Sequence, residues 1–185
     1  MIGFFIVVAV CVIVLGWVIG SYNSLIELKV RAENSWSDID IQLKRRYDVI
    51  PNLVATVQGY AAHEKGTLEK VIQARASAMN ASGVAQKGEA ENFLSGTLKS
   101  LFALSENYPN LKANENFSKL QTTLVEIEDT IQNARRYYNA VVRDFNTNVQ
   151  TFPTNVLANM FHFQTREFFQ LDTPAVERQV PSVKF

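Results

Sequence analysis

The side chains that could perform chemistry are few and lie far apart in this chain. His63 and Glu64 are adjacent, and a zinc hydrolase helix would carry a second histidine four residues after the first. A Lys-Gly-Thr stretch follows instead, and the only other histidine is His162. The single cysteine, Cys11, lies inside an apolar run, so thiol catalysis and a transition-metal site both lack ligands. We interpret His63 and Glu64 as a polar helix end, and we predict no catalytic residue, no metal and no cofactor.

Paired carboxylates are the next candidates for acid–base chemistry. Glu126, Glu128 and Asp129 interleave with apolar residues at helical spacing, which predicts that they face solvent beside Arg135 and Arg136. The eight glycines are scattered and form no phosphate-binding loop. A formal net charge of zero gives no reason to expect nucleic acid as a partner.

Lys44, Arg45 and Arg46 form the densest basic cluster, which suits either a solvated helix face or a contact with a partner or anionic lipid. Asp40 lies four residues before Lys44 and offsets part of the charge. The cluster begins about 36 Å along a straight helix from the end of the apolar run, well beyond a ~8 Å Debye length. This distance favours the solvated face, with a partner contact through these residues as the alternative.

The elements that would position these side chains begin with an apolar N-terminus. Residues 2–19 carry no charge, and the first charged side chain is Glu27. Eighteen helical residues cover roughly 27 Å, close to the ~30 Å hydrocarbon core of a bilayer. This predicts a transmembrane span, represented by Ile2, Phe5, Val8, Ile13, Trp17 and Ile19.

Two other fates of this segment are less well supported. A cleaved export signal would need a basic start and a small-x-small cleavage site, whereas bulky residues follow this core. Lipoprotein processing at Cys11 is disfavoured because Val10 precedes it and because it falls in the middle of the run. An uncleaved anchor with a buried apolar thiol is the prediction.

The end of the span carries residue types that act at membrane boundaries and between helices. Trp17 and Tyr22 are amphipathic rings of the kind that prefer the headgroup region. Gly16 and Gly20 form a GxxxG spacing, which lets two spanning helices pack closely but is also common in helices that face lipid. Dimerisation and unpartnered glycines both remain open.

Positive charge follows the span and does not precede it. Lys29, Arg31 and the Lys44–Arg46 cluster lie after the span. Because basic flanks stay in the cytoplasm, this favours an outside N-terminus and a cytoplasmic domain.

Two long amphipathic helices are predicted in the remainder. Their apolar residues recur every three or four positions. The first stripe comprises Leu25, Leu28, Ala32, Trp36, Ile39, Leu43, Tyr47, Ile50, Val54, Val57 and Ala61. The second comprises Phe117, Leu120, Leu124, Ile127, Ile131, Ala134, Tyr138, Val141, Phe145 and Val149. We expect Pro51 to kink the first helix without ending it, and Asn114 to cap the second.

Two shorter helices, over residues 68–79 and 93–108, are predicted between the long ones. The turn-rich segments 80–83 and 87–88 separate them. These elements predict an all-α fold with an elongated antiparallel four-helix bundle. The expected domains are an anchor over 1–20, a bundle over 21–152 and a C-terminal tail with a short helix over 153–185.

The tail is rich in phenylalanine. Half of the twelve phenylalanines lie in it or directly before it, namely Phe152, Phe161, Phe163, Phe168, Phe169 and Phe185. The tail could cap its own bundle, lie in the lipid interface or pack against a neighbouring subunit. For the last of these, Phe161, Phe163, Phe168 and Phe169 are the candidate contacts.

Several phrases resemble a known family. They include Asn-Ser-Trp-Ser-Asp-Ile-Asp over residues 34–40, Gln-Leu-Lys-Arg-Arg-Tyr-Asp-Val-Ile-Pro-Asn-Leu-Val over 42–54 and Gly-Tyr-Ala-Ala-His-Glu over 59–64. Together with Tyr-Pro-Asn-Leu-Lys over 108–112, they resemble the LemA family of bacterial membrane proteins. The resemblance implies an N-terminal helix in the bacterial cytoplasmic (inner) membrane with the N-terminus outside, an elongated helical bundle and no assigned catalytic residue. One branch of that family is associated with magnetosome membranes.

These observations favour a non-enzymatic, membrane-anchored scaffold that forms homo-oligomers. An accessory subunit of a membrane protease or signalling complex is the alternative, with a possible second membrane protein as partner. An unrecognised hydrolase around His63 and Glu64 is the least supported hypothesis.

Overall fold

The computed structural model describes residues 1–170. Phe185 and the rest of the predicted tail beyond Gln170 lie outside the described residues. Every regular element of the described part is a helix, in the order α1 (Ile2–Tyr60), α2 (Lys65–Asn80), α3 (Val84–Ser105), α4 (Pro109–Lys112), α5 (Glu115–Gln150) and α6 (Thr154–Met160). The all-α fold class with an apolar N-terminal helix is therefore confirmed, while the antiparallel four-helix arrangement stays a prediction.

The first long helix extends further than its apolar stripe. The span and the stripe, predicted as separate segments, form one helix of 59 residues. Pro51 removes one backbone hydrogen bond but does not end α1, as the continuing stripe predicted. Every residue of both predicted stripes is buried or half-buried. Strict helical periodicity thus identified the faces of α1 and α5 that pack in the body.

The start of α5 is fixed by its predicted cap. The Asn114 side-chain oxygen accepts the backbone N–H of Phe117 at 2.9 Å, and so satisfies one of the free N–H groups of the first turn. The side-chain amide of Asn114 also donates to the Tyr60 hydroxyl at 2.9 Å. One residue therefore caps α5 and links it to the end of α1.

The shorter helices were predicted over 68–79 and 93–108 and are observed at Lys65–Asn80 and Val84–Ser105. The turn at residues 80–83 is confirmed, and Gly83 there adopts a φ of 79°, which side chains rarely tolerate. The predicted turn at Lys87 and Gly88 is wrong, because both residues lie inside α3. Gly88 is buried under the C-terminal segment, so this glycine provides space for a close contact and not freedom to turn.

The chain forms two compact units, each of which takes part of α1 and part of α5. Unit 1 comprises residues 1–40 and 133–168, and its core includes Leu25, Phe145, Val149 and Ala158. The described part of unit 2 comprises residues 41–132 with Phe169 and Gln170. Fully buried residues from α1, α2, α3 and α5 form the core of unit 2, among them Ile50, Val71, Leu94 and Ile127.

Candidate functional site

A buried charge cluster lies in unit 2. Arg46 on α1 is almost fully buried, and its Nη1 lies 2.9 Å from Oε2 of Glu128 on α5. The same nitrogen lies 3.4 Å from Oε2 of Glu91 on α3, which is completely buried. Nη2 of Arg46 donates to the Ser95 hydroxyl at 2.7 Å. One guanidinium thus bonds to side chains from two other helices and satisfies the polar groups that these helices bury.

Tyr47 extends this cluster towards α2. Its hydroxyl donates to the second oxygen of the Glu91 carboxylate and lies 3.3 Å from the carbonyl oxygen of Ala78. Nε of Arg75 donates to the Tyr47 carbonyl at 2.8 Å, and the Lys87 ammonium lies 5.6 Å from the centre of the Tyr47 ring. Polar contacts therefore connect α1, α2, α3 and α5 within unit 2.

The position of Arg46 corrects the sequence-based expectation. Arg46 was expected on a solvated basic face and Glu128 in solvent, but they form an ion pair instead. Arg135, also expected in solvent, is buried. The helical phase carried the signal for Arg46, because it lies three residues after Leu43 and four before Ile50, both of which are buried. Lys44 and Arg45 are exposed, as expected for a solvated face.

A cavity of about 180 Å³ lies beside this cluster. Its walls are largely apolar, with Leu98 and Phe102 from α3 and Leu124 and Val125 from α5, and Arg46 forms part of the lining. Its polar side chains are Arg46, Ser95, Lys99, Glu128 and Asp129, and the Ser95 hydroxyl accepts a hydrogen bond from Arg46. The arrangement links α1 to α3 and α5 through Arg46.

A second cluster, in unit 1, is aromatic. The Phe161 ring lies 4.8 Å from the ring of Tyr22, two residues after Gly20. The Phe163 ring lies 6.1 Å from Tyr22 and 6.3 Å from Phe145. The segment after α6 therefore packs against α1 at the point where the apolar span ends.

Polar contacts fix the same segment along unit 1. The side-chain amide of Asn146 donates to the Arg166 carbonyl at 2.9 Å and accepts the Arg166 N–H at 2.8 Å. The Arg166 guanidinium donates to Glu33 on α1 at 2.6 Å. We call residues 161–168 the strap, because they hold the α1 and α5 segments of unit 1 together. Residues 161–168 of the predicted tail therefore pack on helices of their own chain.

Tyr138 on α5 contacts both the strap and α1. Its hydroxyl donates to the Glu167 carbonyl at 3.0 Å, and its ring lies 5.4 Å from Trp36. Burial raises the pKa of the Tyr138 hydroxyl above its ordinary value, an effect that the Arg166 charge opposes and the Glu167 charge reinforces.

The predicted contact phenylalanines have different environments. Phe161 and Phe168 are exposed, Phe163 is half-buried in unit 1 and Phe169 is buried in unit 2. Phe169 packs on Gly88, where an added Cβ would lie 3.6 Å from the ring and 2.8 Å from the Gln170 carbonyl oxygen. In this conformation Phe169 is a core residue of unit 2 and is not available to a neighbouring subunit.

The span presents an apolar surface. Its large side chains are exposed from Ile2 to Ile19 except for the half-buried Val18, as a lipid-facing helix requires. This is the one helix of the described chain that is long and apolar enough to cross a membrane, so α1 carries a candidate anchor. Nothing lies within 4 Å of a Cβ added at Gly16 or Gly20.

His63 is exposed in the turn after α1. The Glu64 carboxylate accepts a hydrogen bond from the Tyr108 hydroxyl at 2.9 Å, which raises the pKa of that hydroxyl. Within residues 1–170, no three His, Cys, Asp or Glu side chains come together to hold a metal.

Comparison with known proteins gives one consistent result. A sequence model described as the LemA family matches residues 35–185. Protein LemA of Metamycoplasma hominis is 30% identical over 170 residues, covering 86% of this chain and 76% of the relative. Magnetosome protein MamQ 2 of Paramagnetospirillum magneticum is 24% identical over 189 residues, covering 86% and 70%. Magnetosome protein MamQ of Magnetospirillum gryphiswaldense is 23% identical over 190 residues, with the same coverage.

Proposed function

Since the chain belongs to the LemA family, we propose that it is a non-enzymatic scaffold, anchored in the bacterial cytoplasmic membrane, that assembles with copies of itself. One observation carries the proposal. The exposed apolar segment and the amphipathic stripe are parts of a single helix, α1, from Ile2 to Tyr60. Because no linker separates the anchor from the body, association of the anchors would bring the bodies of neighbouring chains together.

The environment of the ionisable side chains supports a non-enzymatic role. The buried cluster uses Arg46 and Glu91 to cross-link helices, and burial of this kind is typical of a structural group. His63 is exposed, and its neighbour Glu64 is engaged by Tyr108. These contacts favour structural over catalytic roles for the residues that the sequence singled out.

Self-assembly is proposed through the face of the span that carries Gly16 and Gly20. Both glycines have open space in front of them, so a second helix can approach the backbone closely. Ile13 lies three residues before Gly16 and seven before Gly20, and so shares their face. Cys11 lies nine residues before Gly20, about two and a half turns away, and thus on the opposite face.

The single cysteine makes this geometry testable by oxidative cross-linking in native membranes. The double variant Cys11→Ala, Ile13→Cys places the thiol on the glycine face, and the parent chain with its Cys11 is the matched control. We expect disulfide-linked dimers from the double variant and few from the parent. Gly16→Leu in the double variant should abolish them. Equal cross-linking of both thiols, or monomers alone by native mass spectrometry in detergent, would contradict self-assembly through this face.

A second candidate function is supported by the exposed basic pair Lys44 and Arg45. In that case the chain is an accessory subunit that contacts an acidic surface of another membrane protein, such as a protease or signalling complex. Affinity capture with Lys44→Glu, Arg45→Glu would then lose the partner, whereas cross-linking through the span should be unchanged. Arg46 is left out of the variant, because it is buried.

A further inference from the structure

The surface around α6 is apolar on its exposed side. The exposed fraction is 82% for Phe152, 57% for Val156, 59% for Met160 and 46% for Phe161. Val156 and Met160 lie four residues apart on α6 and so share one face, while Leu157 and Ala158 are buried in unit 1 and Phe152 precedes the helix. Contiguous exposed apolar surface of this kind marks a contact with a partner or a membrane.

The position of this surface identifies the partner. Phe161 stacks on Tyr22, which lies three residues, or about 4.5 Å along the helix, beyond Ile19. Phe163 contacts the same ring. The end of α6 is therefore level with the point where α1 leaves the hydrocarbon, at the depth that aromatic side chains prefer.

The charges of the segment agree with this depth. From Phe145 to Thr165 the chain contains no Asp, Glu, Lys or Arg. A side chain of this segment can enter the headgroup region without desolvating a formal charge. Arg166 is the first charged residue after it and is turned back towards Glu33 on α1.

We propose that the exposed face of α6, with Phe152 and Phe161, is a second membrane contact that lies in the interface of the bilayer which α1 spans. The proposal rests on the membrane anchoring proposed above. Two contacts, one spanning and one interfacial, fix the tilt and rotation of unit 1 relative to the lipid surface, whereas a lone span leaves both free.

Three environment-sensitive probes test this on the full chain in phosphatidylcholine vesicles. An NBD label is attached to native Cys11, to Val156→Cys or to Val30→Cys, the last two in a Cys11→Ala background. Val30 is the matched control, because it is also a valine of unit 1, is 45% exposed and lies about 16 Å along α1 beyond Ile19. Headgroup-labelled, shallow doxyl and deep doxyl lipids serve as quenchers.

We expect blue-shifted emission at Val156 and quenching by shallow doxyl lipid about threefold stronger than at Val30, since interfacial helices insert ~5–10 Å into the headgroup boundary. Quenching at Val156 no greater than at Val30 would overturn the interfacial contact. A blue shift at Val156 that depends on the protein-to-lipid ratio, without lipid quenching, would assign the surface to a second copy of the chain and also overturn it.

The Cys11 probe separates this inference from the proposed function. If Cys11 is quenched by deep doxyl lipid and Val156 behaves like Val30, the anchor stands and the α6 contact fails. If Cys11 is not quenched, the anchoring itself fails. Met160→Glu in the Val156→Cys chain provides an independent check, because a carboxylate on the same exposed face should reduce the quenching of the probe about twofold or more.

Discussion

Gly88 packs against the ring of Phe169. The absence of a side chain at position 88 leaves space for Phe169 and Gln170. A Cβ at this position would lie 2.8 Å from the Gln170 carbonyl oxygen, closer than backbone atoms tolerate. Glycine costs about 1 kcal/mol relative to alanine inside a helix. The contact with Phe169, which is buried, offsets that cost with a side-chain burial of about 1.5–3 kcal/mol.

Gly88→Ala should therefore destabilise the chain in spite of its better helix propensity. We expect a loss of about 1–3 kcal/mol in the free energy of unfolding in detergent micelles, because the segment at Gln170 must move. Gly96→Ala is the matched control on the same helix. Nothing lies within 4 Å of a Cβ there, so that change should stabilise by up to about 1 kcal/mol.

Limited trypsinolysis supplies a second measurement for the same variant. Displacement of Phe169 should expose the nearby Arg166 peptide bond and accelerate its cleavage in Gly88→Ala but not in Gly96→Ala. If both variants are stabilised equally and cleaved at the parent rate, the close contact at Gly88 does not contribute to stability.

The long helices could be predicted because their information is local. The second stripe spans residues 117–149, and α5 runs from Glu115 to Gln150, with Asn114 capping it as its position suggested. The steps of three and four residues determine which face is buried, whatever it packs against. For this reason the prediction of the buried stripes needed no knowledge of the partner helices.

The predicted turn at Gly88 and the predicted exposure of Arg46 are wrong, because the roles of both residues depend on contacts distant in sequence. A glycine after a lysine suggests a turn until Phe169 is known to lie over it. Arg46 was grouped with its exposed neighbours Lys44 and Arg45, although its helical phase coincides with Leu43 and Ile50. Glu91 shows the same signal, three residues before the buried Leu94, although a carboxylate is rarely buried.

Arg46→Ala should be among the most destabilising single changes in unit 2. It removes the guanidinium that pairs with the buried Glu91 carboxylate, and removal of one partner from a buried ion pair costs about 3–5 kcal/mol. Arg45→Ala, at the adjacent exposed position, should change the free energy of unfolding by less than about 0.5 kcal/mol. Denaturant unfolding in micelles, followed by circular dichroism, compares the two.

A double variant tests whether the cost comes from breaking the charge pair between Arg46 and Glu91. Arg46→Met together with Glu91→Gln removes both buried charges and should recover part of the stability lost in Arg46→Ala. Equal stability of the Arg45 and Arg46 alanine variants would contradict the structural role of the cluster.

Tyr138 should make the chain less stable at alkaline pH. Burial raises the pKa of its hydroxyl in the folded state, so the stability that it contributes is fully present below about pH 10, the ordinary tyrosine value. That contribution is lost as pH rises through the folded-state pKa. Tyr138→Phe should reduce the slope of stability against pH above pH 10, while it costs about 1 kcal/mol at neutral pH through loss of the bond to Glu167.

Phenolate absorbance near 295 nm, titrated in parent and Tyr138→Phe, gives the ionisation of this group by difference. A difference titration centred at or below the ordinary tyrosine value would be inconsistent with a buried hydroxyl at this position.

The positive charges that follow the span predict the orientation of the chain in the membrane. Lys29, Arg31 and the exposed pair Lys44 and Arg45 all lie after the span, so the body should stay in the cytoplasm with the N-terminus outside. A thiol at Val30 in the Cys11→Ala background should then resist a membrane-impermeant maleimide in intact cells and react after permeabilisation. A Ser-Cys-Ser extension before Ile2 should react in intact cells. Labelling of Val30→Cys in intact cells would contradict this orientation. It would mean that Glu27, which pairs with Arg31 at 2.6 Å, neutralises the positive charge that is expected to keep the body in the cytoplasm.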